Sequence, residues 1–381
     1  MKIQKSKKIM EKIGLLTKQR SLNEFIQMTL SYPISTETVY LKDPENLPKY
    51  KEGFRNMLRP LTGKEYTEDQ CAIGAMILSV INGVGAKIED LPVTMADELV
   101  CNSRVFHEGE MESNQYYRNI HFDIQEMGRF KLKTNSYEPY ELTMYNTPKV
   151  IQQQFMIPAI GMFDYKFTYP QIVEGGSTWM SVTPNEIYTM QRPIAEAKGN
   201  VLTLGCGMGY YAYMVSEKDD VDHVTIIEKE PDVIELFNTY ILPQFAHKDK
   251  VMVIQADAFD YMEKLEDGVF DYCFADIWIG NLDIIPYIRL KKMCRRFRKT
   301  KVSYWIEDSI VAASTPFVSM LIMAEAYRAC GIPMPEITDV LTDEQRWVKD
   351  YYGELLGDVE ISRPDQVDYL LDYRNLINLI R

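Results

Sequence analysis

Residues 200–210 read Asn200-Val-Leu-Thr-Leu-Gly-Cys-Gly-Met-Gly-Tyr210, an apolar run that stops at three glycines on alternate positions, Gly205, Gly207 and Gly209. Val201, Leu202 and Leu204 suit a buried strand, and the glycines suit a turn into a helix. Glycine has no Cβ, so such a turn lets backbone approach a ligand closely. The N–H groups opening the next helix point at the same place. The stretch therefore predicts a nucleotide-like binding turn, and its surroundings must say for which nucleotide.

Downstream of the turn, strand and helix patterns alternate. Strands are expected at 201–204, 223–228, 251–256, 270–275 and 301–306, with helices at 210–216, 231–242, 259–265 and 282–298. Five strands separated by helices imply an α/β fold with a Rossmann-like, doubly wound and mainly parallel sheet. Ligands bind such a sheet beyond the carboxyl ends of its strands. Four features fall at those ends: Gly205–Gly209, then Glu228, then Asp257-Ala258, then Asp276. Glu228 lies 19 residues past Gly209, where a carboxylate can accept the hydroxyls of a ribose. One acid after a strand reads equally well as a helix cap, but four features in register do not reduce to caps.

The dinucleotide fingerprint asks for a third glycine three residues after the second. Tyr210 stands there instead, and glycine comes one residue early at Gly209. The region has no basic residue for a pyrophosphate and no GxxxxGK[ST] pattern. An adenosine joined to an amino acid, without phosphate, fits better.

Upstream, residues 1–128 read as a mainly helical accessory region and 129–183 as a small β region, rich in alternating and aromatic stretches and ending at Glu174-Gly175-Gly176. Thr183-Pro184-Asn185-Glu186 has the form of a capping box with proline at the first helical position, opening a helix that leads into the glycine strand. Residues 184–314 form the nucleoside-binding unit, and 315–381 a helical C-terminal extension whose aromatic helices suit core packing or a homodimer contact.

Composition sets outer bounds. The chain has 381 residues, 46% of them hydrophobic and 25% charged, which is ordinary for globular domains. Its net charge of −13 does not favour nucleic acid as a partner. Residues 291–301 gather seven positive charges, read here as a solvated helix face whose cations suit the helix dipole. No apolar run near 20 residues and no signal-peptide core are evident, so neither a membrane nor export is expected. Six cysteines without a CxxC pair suggest reduced thiols in the cytoplasm. Four histidines without metal-ligand spacing suggest no metal. Of four tryptophans, Trp278 is the one whose place after Asp276 suggests more than core packing.

The segments VLTLGCGMGY, VTIIEKEPDVIELF, QADAFDYM and FDYCFADIW together resemble the successive motifs of the class I S-adenosylmethionine-dependent methyltransferase superfamily, in particular its spermidine-synthase-like branch, over residues 174–312. The resemblance implies that Gly205, Cys206, Gly207, Gly209 and Tyr210 cradle the methionine part of the cofactor. By the same likeness Glu228 binds the ribose, Lys229 lies against the adenine and Asp257-Ala258 faces its amino edge. Asp276 then lies beside the sulfonium and is the catalytic candidate, and Glu186 resembles an acid near the same pocket. Aminopropyltransferases carry an Asp-Ser-Ser-Asp-like stretch where this chain has Asp276-Ile277-Trp278-Ile279, so the first acid is kept and the second is absent. The expected function is methyl transfer from S-adenosylmethionine to a small-molecule acceptor. Two alternatives stand beside it: aminopropyl transfer from decarboxylated S-adenosylmethionine, and a non-catalytic nucleoside- or partner-binding protein.

Overall fold

The run that ends at Leu204 becomes the middle of a five-stranded sheet. In the computed structural model, which describes all residues except 86, 88–90, 152–154, 333–340 and 381, the strands are β1 (Gly199–Leu204), β2 (Val221–Glu228), β3 (Val251–Gln255), β4 (Tyr272–Ala275) and β5 (Lys301–Tyr304). They lie in the order β3-β2-β1-β4-β5, and every neighbouring pair is parallel. The connecting helices are α1 (Pro184–Glu196), entering β1, then α2 (Tyr210–Ser216), α3 (Pro231–Leu236), α4 (Ala258–Lys264) and α5 (Ile284–Cys294); α6 (Glu307–Ala329) leaves β5. Val201, Leu202 and Leu204 are fully buried, as a strand covered on both faces requires.

This strand order positions the site. The chain steps from β1 outward to β2 and β3, then crosses back to lay β4 on the other side of β1, so the carboxyl ends of β1 and β4 meet where the winding reverses. The Asp276 amide donates to the Leu204 carbonyl at 2.9 Å, and the Gly205 amide to that of Ile227 at 2.8 Å. The glycine turn and Asp276 are therefore backbone neighbours.

Strand ends agree with the sequence pattern within two residues. The helix expected over 282–298 instead stops at Cys294. There the Asp267 carboxylate accepts the amides of Arg298, Lys299 and Thr300, at 2.9–3.2 Å, and draws that segment out of the helix into the turn before β5.

The β region is more than one small sheet. A four-stranded antiparallel sheet joins Gln125–Met127, Phe130–Tyr137, Phe167–Glu174 and Ser177–Ser181, and a three-stranded sheet joins Arg104–Phe106, Phe155–Phe163 and Leu142–Ile151. Gly175-Gly176 does not end the sheet: both glycines have positive φ and turn the chain into the further strand Ser177–Ser181. The helices Leu47–Thr62, Glu68–Gly83 and Val93–Cys101 enclose a second core with the three-stranded sheet, around Phe54, Ile73, Leu99 and Ile160.

After β5, no further strand joins the central sheet among the described residues. Contrary to the sequence expectation, α6 is long and apolar enough to cross a membrane by length and composition, but most of it is buried inside the fold, with Ile310, Val311, Val318 and Ile322 fully enclosed. Helices Asp343–Leu355 and Tyr373–Leu379 pack against it.

Candidate functional site

The three glycines are held at φ of 99°, 49° and 73°, a left-handed region that other residues reach only with strain. A Cβ on Gly205 would stand 2.1 Å from the Asp276 carbonyl oxygen, and one on Gly207 2.1 Å from Met180 Sδ. Gly209 caps α2 and rests against the Phe237 ring, 2.4 Å from where its Cβ would be. Gly205, Cys206, Gly207 and Tyr210 line a cavity, whereas Gly209 faces away from it. Of the three glycines, only Gly205 and Gly207 line it.

Glu228, at the end of β2, braces the turn from below. Its Oε2 accepts the Cys206 amide at 3.0 Å, and its Oε1 accepts those of Lys229 and Glu230 at 2.8 and 3.0 Å. A carboxylate has about four acceptor positions, so roughly one remains for a further donor. Asp257 caps α4, its Oδ1 accepting the amides of Phe259 at 2.8 Å and Asp260 at 3.2 Å. Lys229, Asp257 and Ala258 line the same cavity.

The cavity, about 640 Å³, suits a nucleoside-sized ligand. Five acids line it, Glu186, Glu228, Glu230, Asp257 and Asp276, and of these Glu186 and Asp276 interact electrostatically. The capping box expected at Thr183–Glu186 is not formed, since the Thr183 side chain makes no cap bond. Glu186 is thus not consumed as a helix cap, and its Oε2 is buried without a hydrogen-bond partner. Burial, and then the charge of Asp276, push the Glu186 carboxyl well above its ordinary value; burial raises Asp276 as well. A buried carboxyl oxygen left without a partner costs stability.

Three of the four tryptophans line this cavity, Trp179, Trp278 and Trp305. Trp278 Nε1 donates to the Trp305 carbonyl at 3.1 Å and Trp305 Nε1 to Thr189 Oγ1 at 2.8 Å, which fixes both indoles. Trp347 lies elsewhere, stacked on Tyr351. The basic residues lining the cavity are Lys229 and Arg129. Arg129 is bound to Glu174 at 2.6 Å and Glu230 at 2.7 Å. Cys206 is buried, and its thiol is pushed well above the usual range by burial and then by Glu228, so it is held neutral. Ile279, in the place of the missing second acid, is 93% exposed.

Sequence reasoning did not single out Arg129, residues 178–181 of the strand Ser177–Ser181, Met190 or Trp305 as lining residues. The Gly175-Gly176 pair before a Thr-Trp-Met-Ser stretch was the available signal for that strand. Among the described residues, no group of three or more His, Cys, Asp or Glu side chains is placed to hold a metal.

No family model matches the chain, and no curated protein matches it. Among the solved structures similar over part of it are spermidine synthase from Thermotoga maritima, at 18% identity, and a spermidine synthase in complex with the transition state analogue AdoDATO, at 19%. Each likeness covers 44% of this chain and 59% of the other, with a TM-score of 0.29. The chain thus spans under two thirds of the length of either, and the likeness adds nothing to the strand–helix alternation already described.

Proposed function

We propose that the cavity binds an adenosyl sulfonium nucleoside and that the protein transfers the aminopropyl group of decarboxylated S-adenosylmethionine to an amine. The observation that carries this reading is the Glu186–Asp276 pair, two interacting half-buried carboxyl groups in a cavity lined also by Glu228, Glu230 and Asp257, against two basic residues, Lys229 and Arg129, the latter already in two ion pairs. A donor with a sulfonium, an ammonium and no carboxylate matches two acids. S-adenosylmethionine itself would bring a third carboxylate to them. Gly205–Gly207 would receive the nucleoside at the turn, Glu228 the ribose, and the Asp257–Phe259 segment the base. The sulfonium supplies the leaving group: the amine bonds to the adjacent carbon, the C–S bond breaks to a neutral thioether, and the amine loses a proton. Asp276 is the candidate to orient the amine and take that proton.

Calorimetric titration tests the reading. Decarboxylated S-adenosylmethionine is expected to bind at least about tenfold more tightly than S-adenosylmethionine, a difference of about 1.4 kcal/mol, and the reverse order overturns it. Methyl transfer to a small molecule is the second reading, favoured by Asp276-Ile277-Trp278-Ile279, which lacks the second acid of an aminopropyl site.

A further inference from the structure

A second cavity, about 630 Å³, lies between α4 and α5. The segment that forms one wall, residues 289–301, carries eight lysines and arginines and no acid. Lys291 and Lys301 are spent on Glu307 and Glu196. Arg289, Lys292, Arg295 and Arg296 line the cavity. Among the described residues none of these four forms an ion pair, in a chain with a net charge of −13.

Three of the four are held in place without being neutralised. The Arg289 guanidinium lies 4.5 Å above the Phe259 ring and the Lys292 ammonium 4.4 Å above that of Tyr351. Arg296 donates to the carbonyls of Met262 and Glu263. Helix-dipole complementarity accounts for cations near the end of α5, but not for a concave site in which they converge. Arginine forks and lysine ammonium groups posed this way suit phosphate oxygens.

The opposite wall selects among phosphate ligands. Asp260 and Glu263, from α4, face the same space. A nucleic-acid strand threaded through would carry phosphates past both carboxylates. A small ligand can lay its phosphates on the α5 wall and present hydroxyl or amino groups to the acids. We propose that the α4–α5 groove binds a small molecule carrying two or more phosphates, such as a nucleoside di- or triphosphate. The site is independent of the adenosyl cavity in its charged residues, and the two share the wall residue Phe259.

The test uses the full chain and inorganic triphosphate, titrated by calorimetry at about 0.15 M salt. One saturable site is expected, weakened at least about tenfold in the double variant Lys292→Glu/Arg295→Glu. These exposed side chains lie outside the adenosyl cavity, so donor binding in the variant reports whether the fold is intact. Asp260→Asn is expected to bind inorganic triphosphate about two- to fivefold more tightly, because one repelling carboxylate is gone. Unsaturable binding, equal binding by the double variant, or full competition by sulfate at matched ionic strength overturns the proposal. Single-stranded RNA that binds more tightly than triphosphate, with a salt slope growing with length, overturns it in favour of a polymer groove.

Discussion

Glu186 shows how much one side chain decides. Read along the chain, it completes a capping box; in the fold that bond is missing and one carboxyl oxygen is buried alone. Burial and Asp276 raise its carboxyl above the ordinary 4.5, and burial raises Asp276 above 3.8. The folded protein therefore holds protons that the unfolded chain has released. The stability this contributes is complete below the ordinary carboxylate range and is lost as pH rises through the raised values. Scanning calorimetry between about pH 4.5 and 8 should show stability falling with pH in the wild type. Glu186→Gln should flatten that fall and leave the variant about 1–3 kcal/mol more stable near neutrality. Equal slopes in the two proteins would remove the pair as the cause. A bound cation favours the ionised pair, so donor affinity should rise over the same window.

At the scale of elements, the decisive contact is between two strand ends. Gly205 has no room for a Cβ because the Asp276 carbonyl stands in its place, and its φ of 99° is strained for any other residue. Gly205→Ala must push β4 away from β1, at about 2–4 kcal/mol from strain and overpacking together. Chemical denaturation should record that loss along with loss of donor binding, and a variant that unfolds like the wild type would refute the contact. The turn, the β1–β5 alternation and the acids at the strand ends were legible in the sequence because buried parallel strands are continuous apolar runs and glycine punctuates them. The strand Ser177–Ser181 was not, since five half-exposed residues carry no periodic signal and Gly175-Gly176 reads equally as a stop. Nor was the convergence of Trp179 with Trp305, which are 126 positions apart and meet only through tertiary packing.

Across the whole molecule, the helical layer and the sheets are tied by His107. Its Nε2 meets Asp69, on the helix Glu68–Gly83, at 3.0 Å, and its Nδ1 meets Asp164, beyond the strand Phe155–Phe163, at 2.6 Å. These two carboxylates, Asp164 first, raise the imidazole above 6.5. The link is at full strength below that value and weakens as pH rises through the raised one. The groups are half exposed, so screening keeps the effect small. His107→Gln should lower the melting temperature by about 1–2 °C near pH 6 and by less near pH 9. A loss that does not change with pH would show the bridge to be uncharged.

The wall of the central cavity contributed by the antiparallel sheet is fastened to the loop after β2 by Arg129, through ion pairs with Glu230 across the seam and Glu174 on its own sheet. Arg129 is about half exposed, at 52%, so each pair contributes at most about 1 kcal/mol. Dissolved ions loosen a fastening of that size further. Ionic strength is then expected to act on this wall separately from the Glu186–Asp276 pair.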